Sequence, residues 1–399
     1  MSTAPDPAGG GGQTTLTVAS TLSIYQRGGG LLIPLVTALL AFFIGGLVVA
    51  FTGSNPITTY KAVFDGSGLN WLFPWISADD RTIAALNLQQ TLLLSTPFIL
   101  TGLAVAYAFR AGLFNIGGQG QYLVGSFVGV WVGSSLPDLP GLVHIVLAIV
   151  LGTLGGAVWG GIAGFLKAKT GANEVISTIM LNWIAVWVGV YAFGLGGPLH
   201  SSSQESVPIS NEVVESARLP VFWGDPELQG LHVGFFLSLV ALVLFWVLVN
   251  RTVAGYEARA VGFNPDAAEY GGIHAGPTYT RVMLLCGGVA GLAGVLDVLG
   301  WQFTLATNDI QVSSVGFIGI AVALLGRNSA VGVFFSALLF GALINGTSVR
   351  NLDPSIFPPE LATNLTTIIQ GLIVLFVSAP VIITSLASLR RRRPRAVTE

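Results

Sequence analysis

Apolar stretches of roughly twenty residues, joined by short polar links, run through most of this chain. A helix needs about 20 consecutive apolar residues to cross the hydrocarbon layer of a bilayer. In lipid, every backbone N–H and C=O must be paired inside the protein, which leaves only helices or closed barrels. Barrel strands alternate apolar and polar residues, and these runs are continuous. Charged residues make up 9% of the chain, against about a quarter in soluble domains. The expected fold class is an all-α polytopic membrane protein.

The pattern predicts helices near 31–52, 86–109, 117–135, 141–166, 175–196, 231–250, 279–300, 314–326, 329–347 and 366–389, about ten transmembrane helices in all. The eighth is too short to cross unaided, so it is tilted, broken, or paired with the ninth around Arg327 and Asn328. Residues 1–30 are rich in Gly, Ser, Thr and Pro and read as a disordered arm. The run from Leu31 is too long for a signal peptide. The transmembrane domain is therefore set at 31–389, followed by a basic tail, 390–399.

Ten spans put both termini on one side of the membrane. That side then carries 13 of the 17 basic residues: Arg27, Arg110, Lys167, Lys169, Arg251, Arg259, Arg281, Arg327, Arg390 to Arg393, and Arg395. The other side keeps 4: Lys61, Arg81, Arg218 and Arg350. The positive-inside rule makes the first side cytoplasmic. The expected location is the cell membrane, multi-pass, with both termini in the cytoplasm. The arginine run at the tail reads as an anchor against anionic membrane lipid, not as a nucleic-acid site.

Two long segments, 53–85 and 197–230, face outward as loops with aromatics and prolines, either an interfacial belt or a platform for an external partner. Gly152, Gly156, Gly160 and Gly164 recur every four residues in the fourth span, and Gly287 and Gly291 repeat the device in the seventh. Such ridges let helix backbones approach closely. The lone cysteine, Cys286, lies in an apolar run and reads as a packing residue.

One polar island interrupts the second half: RTVAGYEARAVGFNPDAAEYGGIHAGP, residues 251–277. Asn264 is suited to cap a helix, Pro265 to open it, and Asp266 to offset its positive dipole end. Gly271 and Gly272 read as the stop. The result is a helix of about two turns, Pro265 to Tyr270. A helix this short is unstable alone in water, so it packs on its own protein or docks on a cytoplasmic partner. No phosphate-binding loop of the form GxxxxGK[ST] occurs, so nucleotide hydrolysis by that route is excluded. The four histidines form no metal spacing, and there is no GxSxG nucleophile elbow. Intramembrane charge is scarce, with Asp297 the main candidate, whereas ion-driven pumps carry several buried ionisable groups. The energy source is expected on another subunit, and no catalytic or metal site is expected here.

The island resembles the coupling region of ABC importer permeases of the ribose, nucleoside and branched-chain amino acid superfamily. The matching residues are Gly255, Glu257, Arg259, Gly262, Asn264, Pro265, Asp266, Ala267, Ala268 and Gly271. FRAGLFNIGGQGQYLVG (109–125) and TGANEVISTIMLNWIA (170–185) are similar to two further segments of that family. The NEVISTIMLN wording is most like the nucleoside permeases. The resemblance implies a type II importer architecture with two pseudo-repeated halves. It also implies a cytoplasmic ATPase subunit docked at Pro265 to Tyr270, a second permease subunit, and an extracytoplasmic substrate-binding lipoprotein. ATP and Mg would sit on the ATPase, leaving no cofactor in this chain. Two positions depart from the pattern: Phe263 replaces a usual polar residue, and Gln119 stands where many relatives have Glu.

A nucleoside path needs aromatic faces and neutral hydrogen-bonding groups in a mostly apolar wall. Candidates are Asn87, Gln89, Gln90, Asn115, Gln119, Asn182, Trp183, Trp301, Gln302 and Asn345, with Gln121 beside them. Each is equally suited to bonding between helices. Permeases for simple sugars or branched-chain amino acids remain open, as does a self-sufficient secondary transporter. A membrane enzyme fits least, because no acid, base or nucleophile clusters.

Overall fold

The computed structural model describes residues 32–74, 76–225, 230–348, 350–352 and 355–378. The expected N-terminal arm, the basic tail and the end of the tenth span therefore lie outside the described residues. Helix α1 (Leu32–Phe51) is followed by α2 (Pro56–Gly66), α3 (Ala78–Arg110), α4 (Gly118–Ser135), α5 (Gly141–Thr170) and α6 (Glu174–Phe193). A two-stranded hairpin, β1 (Val221–Trp223) and β2 (Leu231–His232), precedes α7 (Gly234–Arg251). Then come α8 (Val253–Phe263), α9 (Pro265–Tyr270), α10 (Ala275–Asp297), α11 (Thr307–Val312), α12 (Val315–Leu325), α13 (Ala330–Gly346) and α14 (Pro359–Ser378).

Each of the ten apolar segments holds a helix. Among the described residues, 6 spans are long and apolar enough to cross a membrane, with α11 and α12 counted as one of them. The bent pair α1–α2 would make a seventh. The eighth segment is longer than expected: α11 precedes α12 across a break at Ser313 and Ser314, and Thr307–Leu325 together make a span of 19 residues.

The segment 53–85 is not a loop. Asn55 accepts a hydrogen bond from the Ile57 N–H, Pro56 opens α2, and α2 folds back on α1 at 118°. The Tyr60 hydroxyl donates to the Phe42 carbonyl at 2.5 Å and fixes that bend. Thr59, Val63 and Gly66 give α2 one buried face at helical spacing, a signal too short to mark a span of its own. Helix α3 also begins earlier than expected, at a Ser77 cap that accepts from the Asp80 N–H.

The two glycine ridges face one another. A Cβ on Gly156 would lie 2.5 Å from the Gly287 carbonyl and 2.6 Å from the Gly291 Cα. One on Gly164 would lie 2.9 Å from the Thr280 Cα. Helices α5 and α10 thus meet backbone to backbone, the close approach that small residues permit. Helix α4 joins them, with Gly125 against Gly291 and Gly129 against Val295. Cys286 is fully buried in this packing.

Arg110, Lys167 and Arg281 hold one end of the bundle together. Arg110 donates to the Asn328 carbonyl through Nε and Nη2 (3.3 and 3.0 Å). Lys167 pairs with Glu174 at 2.7 Å, and Arg281 with Glu257 at 3.5 Å. At the opposite end, residues 197–225 form a strap bonded to the helix ends. The N–H groups of Ser210, Val213 and Leu219 donate to the carbonyls of Leu305, Phe303 and Leu299. Val213, Ala217 and Leu219 of the strap are buried.

Candidate functional site

The island folds into two helices, one of which the sequence reading missed. Helix α8 is capped by Thr252, whose Oγ1 accepts from the Gly255 N–H at 3.1 Å. Gly255 sits in the corner between α7 and α8, where a Cβ would lie 2.9 Å from the Val249 Cα. Gly262 presses the far end of α8 on the turn after α3, at 2.5 Å from the Arg110 carbonyl for a Cβ placed there. Glu257 holds α8 to α10 through Arg281, and Arg259 is half-buried on the same helix.

Helix α9 spans Pro265–Tyr270, with the expected bounds, and its cap is the expected one. Asn264 Oδ1 accepts from the Ala267 N–H at 3.1 Å, and the Gly271 N–H returns to the Ala267 carbonyl. Gly272 takes φ +83°, the left-handed conformation that suits glycine at a helix stop. Ala268 is buried against Val261 and Ala275. Pro265, Asp266, Ala267 and Glu269 are exposed. One face of α9 packs on the protein and the other is exposed. Exposed Tyr256, Phe263 and Tyr270 stand beside it, and a cleft of about 370 Å³ runs between α8 and α9. Phe263 is 82% exposed beside α9.

The other candidate residues do not converge on one site. Asn87, Gln89 and Gln90 line a small cavity of about 110 Å³ near the strap end, with Arg350 and Asn351. Asn345 donates there to the Asn87 carbonyl at 2.7 Å, tying α13 to α3. A second group lies at the start of α4. Asn115 and Gln121 exchange two 3.0 Å amide bonds. Asn182 accepts from the Gly120 N–H at 2.8 Å and donates to the Ile116 carbonyl at 2.9 Å. Gln119 Oε1 accepts from the Gly316 N–H at 2.8 Å and so caps α12. Here a neutral amide does what a carboxylate would do at the same place.

The third group surrounds Asp297. Tyr122 donates to its Oδ2 at 2.8 Å and Trp301 to its Oδ1 at 3.2 Å. Trp301 and Gln302 lie in a π-helical turn, Val298–Gln302, that ends in Phe303 at φ +57°. The main intramembrane charge candidate is therefore engaged as a tie between α4 and α10. Trp183, next to buried Asn182, points the other way and is 59% exposed. Among the described residues no group of His, Cys, Asp and Glu is arranged to hold a metal.

A family model for the permease component of the branched-chain amino acid transport system matches residues 87–378. The chain belongs to this family of ABC transporter permeases. It is 36% identical to the guanosine ABC transporter permease protein NupP of Bacillus subtilis over 357 residues, 88% of this chain and 93% of that one. It is 34% identical to the nucleoside ABC transporter permease protein NupB of Lactococcus lactis, over 88% and 92% of the two chains. The glucose ABC transporter permease protein TsgB13 of Haloferax volcanii is 31% identical, over 86% of each chain. No solved structure matches. Membership makes this permease a multi-pass membrane transport component. ABC systems also contain an ATPase and a substrate-binding component, and the permease is distinct from the ATPase.

Proposed function

We propose that this permease forms half of the translocation path of a nucleoside importer, with about ten spans in two pseudo-repeated halves and both termini in the cytoplasm. A second permease subunit completes the path. An extracytoplasmic binding lipoprotein delivers the solute to the strap end. ATP and Mg act on a cytoplasmic ATPase that grips α9. The observation that carries the nucleoside reading is similarity above 30% to two nucleoside permeases across nearly the whole chain. The free face of α9 supports the docking reading, since a capped six-residue helix with exposed aromatics beside it is a rigid plug for a groove. Several of the dispersed polar groups, Asn115, Gln121, Asn182 and Asn345 among them, are bonded within the protein, which fits a subunit that leaves solute capture to a partner.

The glucose permease relative keeps a simple-sugar substrate as the second reading. Cells carrying the full system, with its ATPase intact or disabled at its phosphate-binding lysine, test the proposal. Nucleoside uptake is expected with the intact ATPase and lost with the disabled one. Undiminished uptake without ATP hydrolysis would establish secondary transport. A ligand screen on the binding lipoprotein separates nucleoside from sugar.

A further inference from the structure

Helix α7 packs on α3, but between it and the start of α13 runs an open groove of about 460 Å³. Leu239, Val243 and Trp246 stand on its α7 wall, at the spacing of one helix face, and Val331 and Phe334 on its α13 wall. Every lining residue is apolar. Counted back from Arg251 at the end of α7, the groove extends from about 8 Å at Trp246 to about 18 Å at Leu239. That depth lies within a hydrocarbon layer about 30 Å thick. A void there is filled, because its walls otherwise forfeit their dispersion contacts, and water finds no polar partner in it. Spread over ~10 Å of α7, the volume gives a cross-section of roughly 45 Å². A helix 10–12 Å across occupies roughly 80–110 Å². The groove is too narrow for a partner's helix and suits a hydrocarbon chain.

The shallow end of the groove is positively charged. The Arg251 guanidinium lies over the ring of Trp246, 5.4 Å from its centroid. Arg251 is exposed, and none of the ion pairs among the described residues engages it. The turn into α13 carries Arg327, three residues before Ala330. Arg110 reaches the same turn through the Asn328 carbonyl. A basic pocket between helices at one membrane face is the arrangement that receives the headgroup of an anionic lipid.

We propose that the α7–α13 groove is a binding site for an anionic phospholipid, with an acyl chain lying along Leu239 to Trp246 and the phosphate headgroup on Arg251. The apolar walls accept any lipid chain. The arginine at the mouth selects a headgroup with net negative charge, since a guanidinium presents paired N–H donors that match two phosphate oxygens. A zwitterionic lipid brings its own cation to the same place and gains less. The site rests on the groove and its arginine, whichever solute the permease carries.

Fluorescence quenching by lipids brominated on the acyl chain tests it, because Trp246 stands in the groove. The assembled importer is reconstituted in phosphatidylcholine vesicles that contain a small fraction of brominated phosphatidylglycerol or brominated phosphatidylcholine. The Trp246 signal is the difference between the wild type and Trp246→Phe. Brominated phosphatidylglycerol is expected to quench Trp246 at about fivefold lower mole fraction than brominated phosphatidylcholine, the preference that one arginine near a membrane surface gives. Arg251→Gln is expected to make the two lipids equal, and Arg251→Lys to keep most of the preference. Ala330→Phe, which fills the groove and leaves Arg251 in place, is expected to remove the preference as well. Equal quenching by the two lipids in the wild type overturns the site, as does a preference that survives Arg251→Gln. Quenching by neither lipid, with a bifunctional reagent joining Val331→Cys to the second permease, shows a subunit seam and also overturns it.

Discussion

Replacing Gly262 by alanine adds one methyl group where α8 meets the turn after α3. That Cβ would lie 2.5 Å from the Arg110 carbonyl and 2.8 Å from both the Ala111 carbonyl carbon and the Gly112 nitrogen. Ordinary contact begins near 3.4 Å, so α8 must retreat by about 0.9 Å, the difference between those two distances. All three neighbours are backbone, and no side chain is available to yield. Gly112 has φ +71° and is itself restricted. Overpacking of this kind costs about 1–3 kcal/mol, which as a coupling energy is roughly 5- to 150-fold. Because α9 is carried on the end of α8, the shift moves the proposed docking plug while leaving the α4–α5–α10 core untouched. The assay is nucleoside imported per ATP hydrolysed, in proteoliposomes of the whole complex. A fall of at least about fivefold is expected with the complex still assembled. Gly276→Ala is the control, since its Cβ would lie 3.6 Å from the Ala168 Cβ, and it is expected to be neutral. An unchanged ratio for Gly262→Ala would refute the reasoning.

Gly156→Leu should prevent α5 from meeting α10 at the 2.5 Å approach to the Gly287 carbonyl, and is expected to abolish stable insertion, read as loss of monodisperse protein in detergent. Asn182→Ala leaves the Gly120 N–H and the Ile116 carbonyl unpaired, at about 1–3 kcal/mol each, and should lower the melting temperature with no change in which solute is carried. Burial pulls the His232 pKa down from 6.5 to about 4. The folded state then refuses a proton that the unfolded chain accepts. The resulting stability is fully present above pH 6.5 and is lost as pH falls toward 4, to a limit of about 3 kcal/mol at 1.36 kcal/mol per unit. His232→Asn, which retains an acceptor for the Gly234 N–H, should flatten that dependence in a thermal melt followed across pH.

The sequence carried the helices whose burial is written in apolar runs, and it carried α9 because Asn264, Pro265 and the two glycines are local signals. The matching glycine spacings also foretold contact, since such ridges have few other uses. What escaped was structure set by neighbours. Helix α2 has only 11 residues, so its buried stripe of Thr59, Val63 and Gly66 read as part of a loop. Helix α8 looked like the remainder of a polar loop, although Thr252 is as good a cap as Asn264. In the π turn at Val298–Gln302, Gly300 packs against His232, some 70 residues away in sequence. The polar path residues were identified as a type and not as a place: the sequence could not tell Asn182, buried and satisfied, from its neighbour Trp183, turned outward.

The central claim is that α9 is where the ATPase takes hold. Cysteines at Ala267 and Tyr270, both exposed, would be cross-linked in membranes holding the complete importer, with Ser203 at the strap end as comparison. A short bifunctional thiol reagent is predicted to join the α9 positions to the ATPase subunit, and to leave Ser203→Cys unjoined to it. No ATPase adduct from either α9 position, in a complex that still transports, would contradict the account.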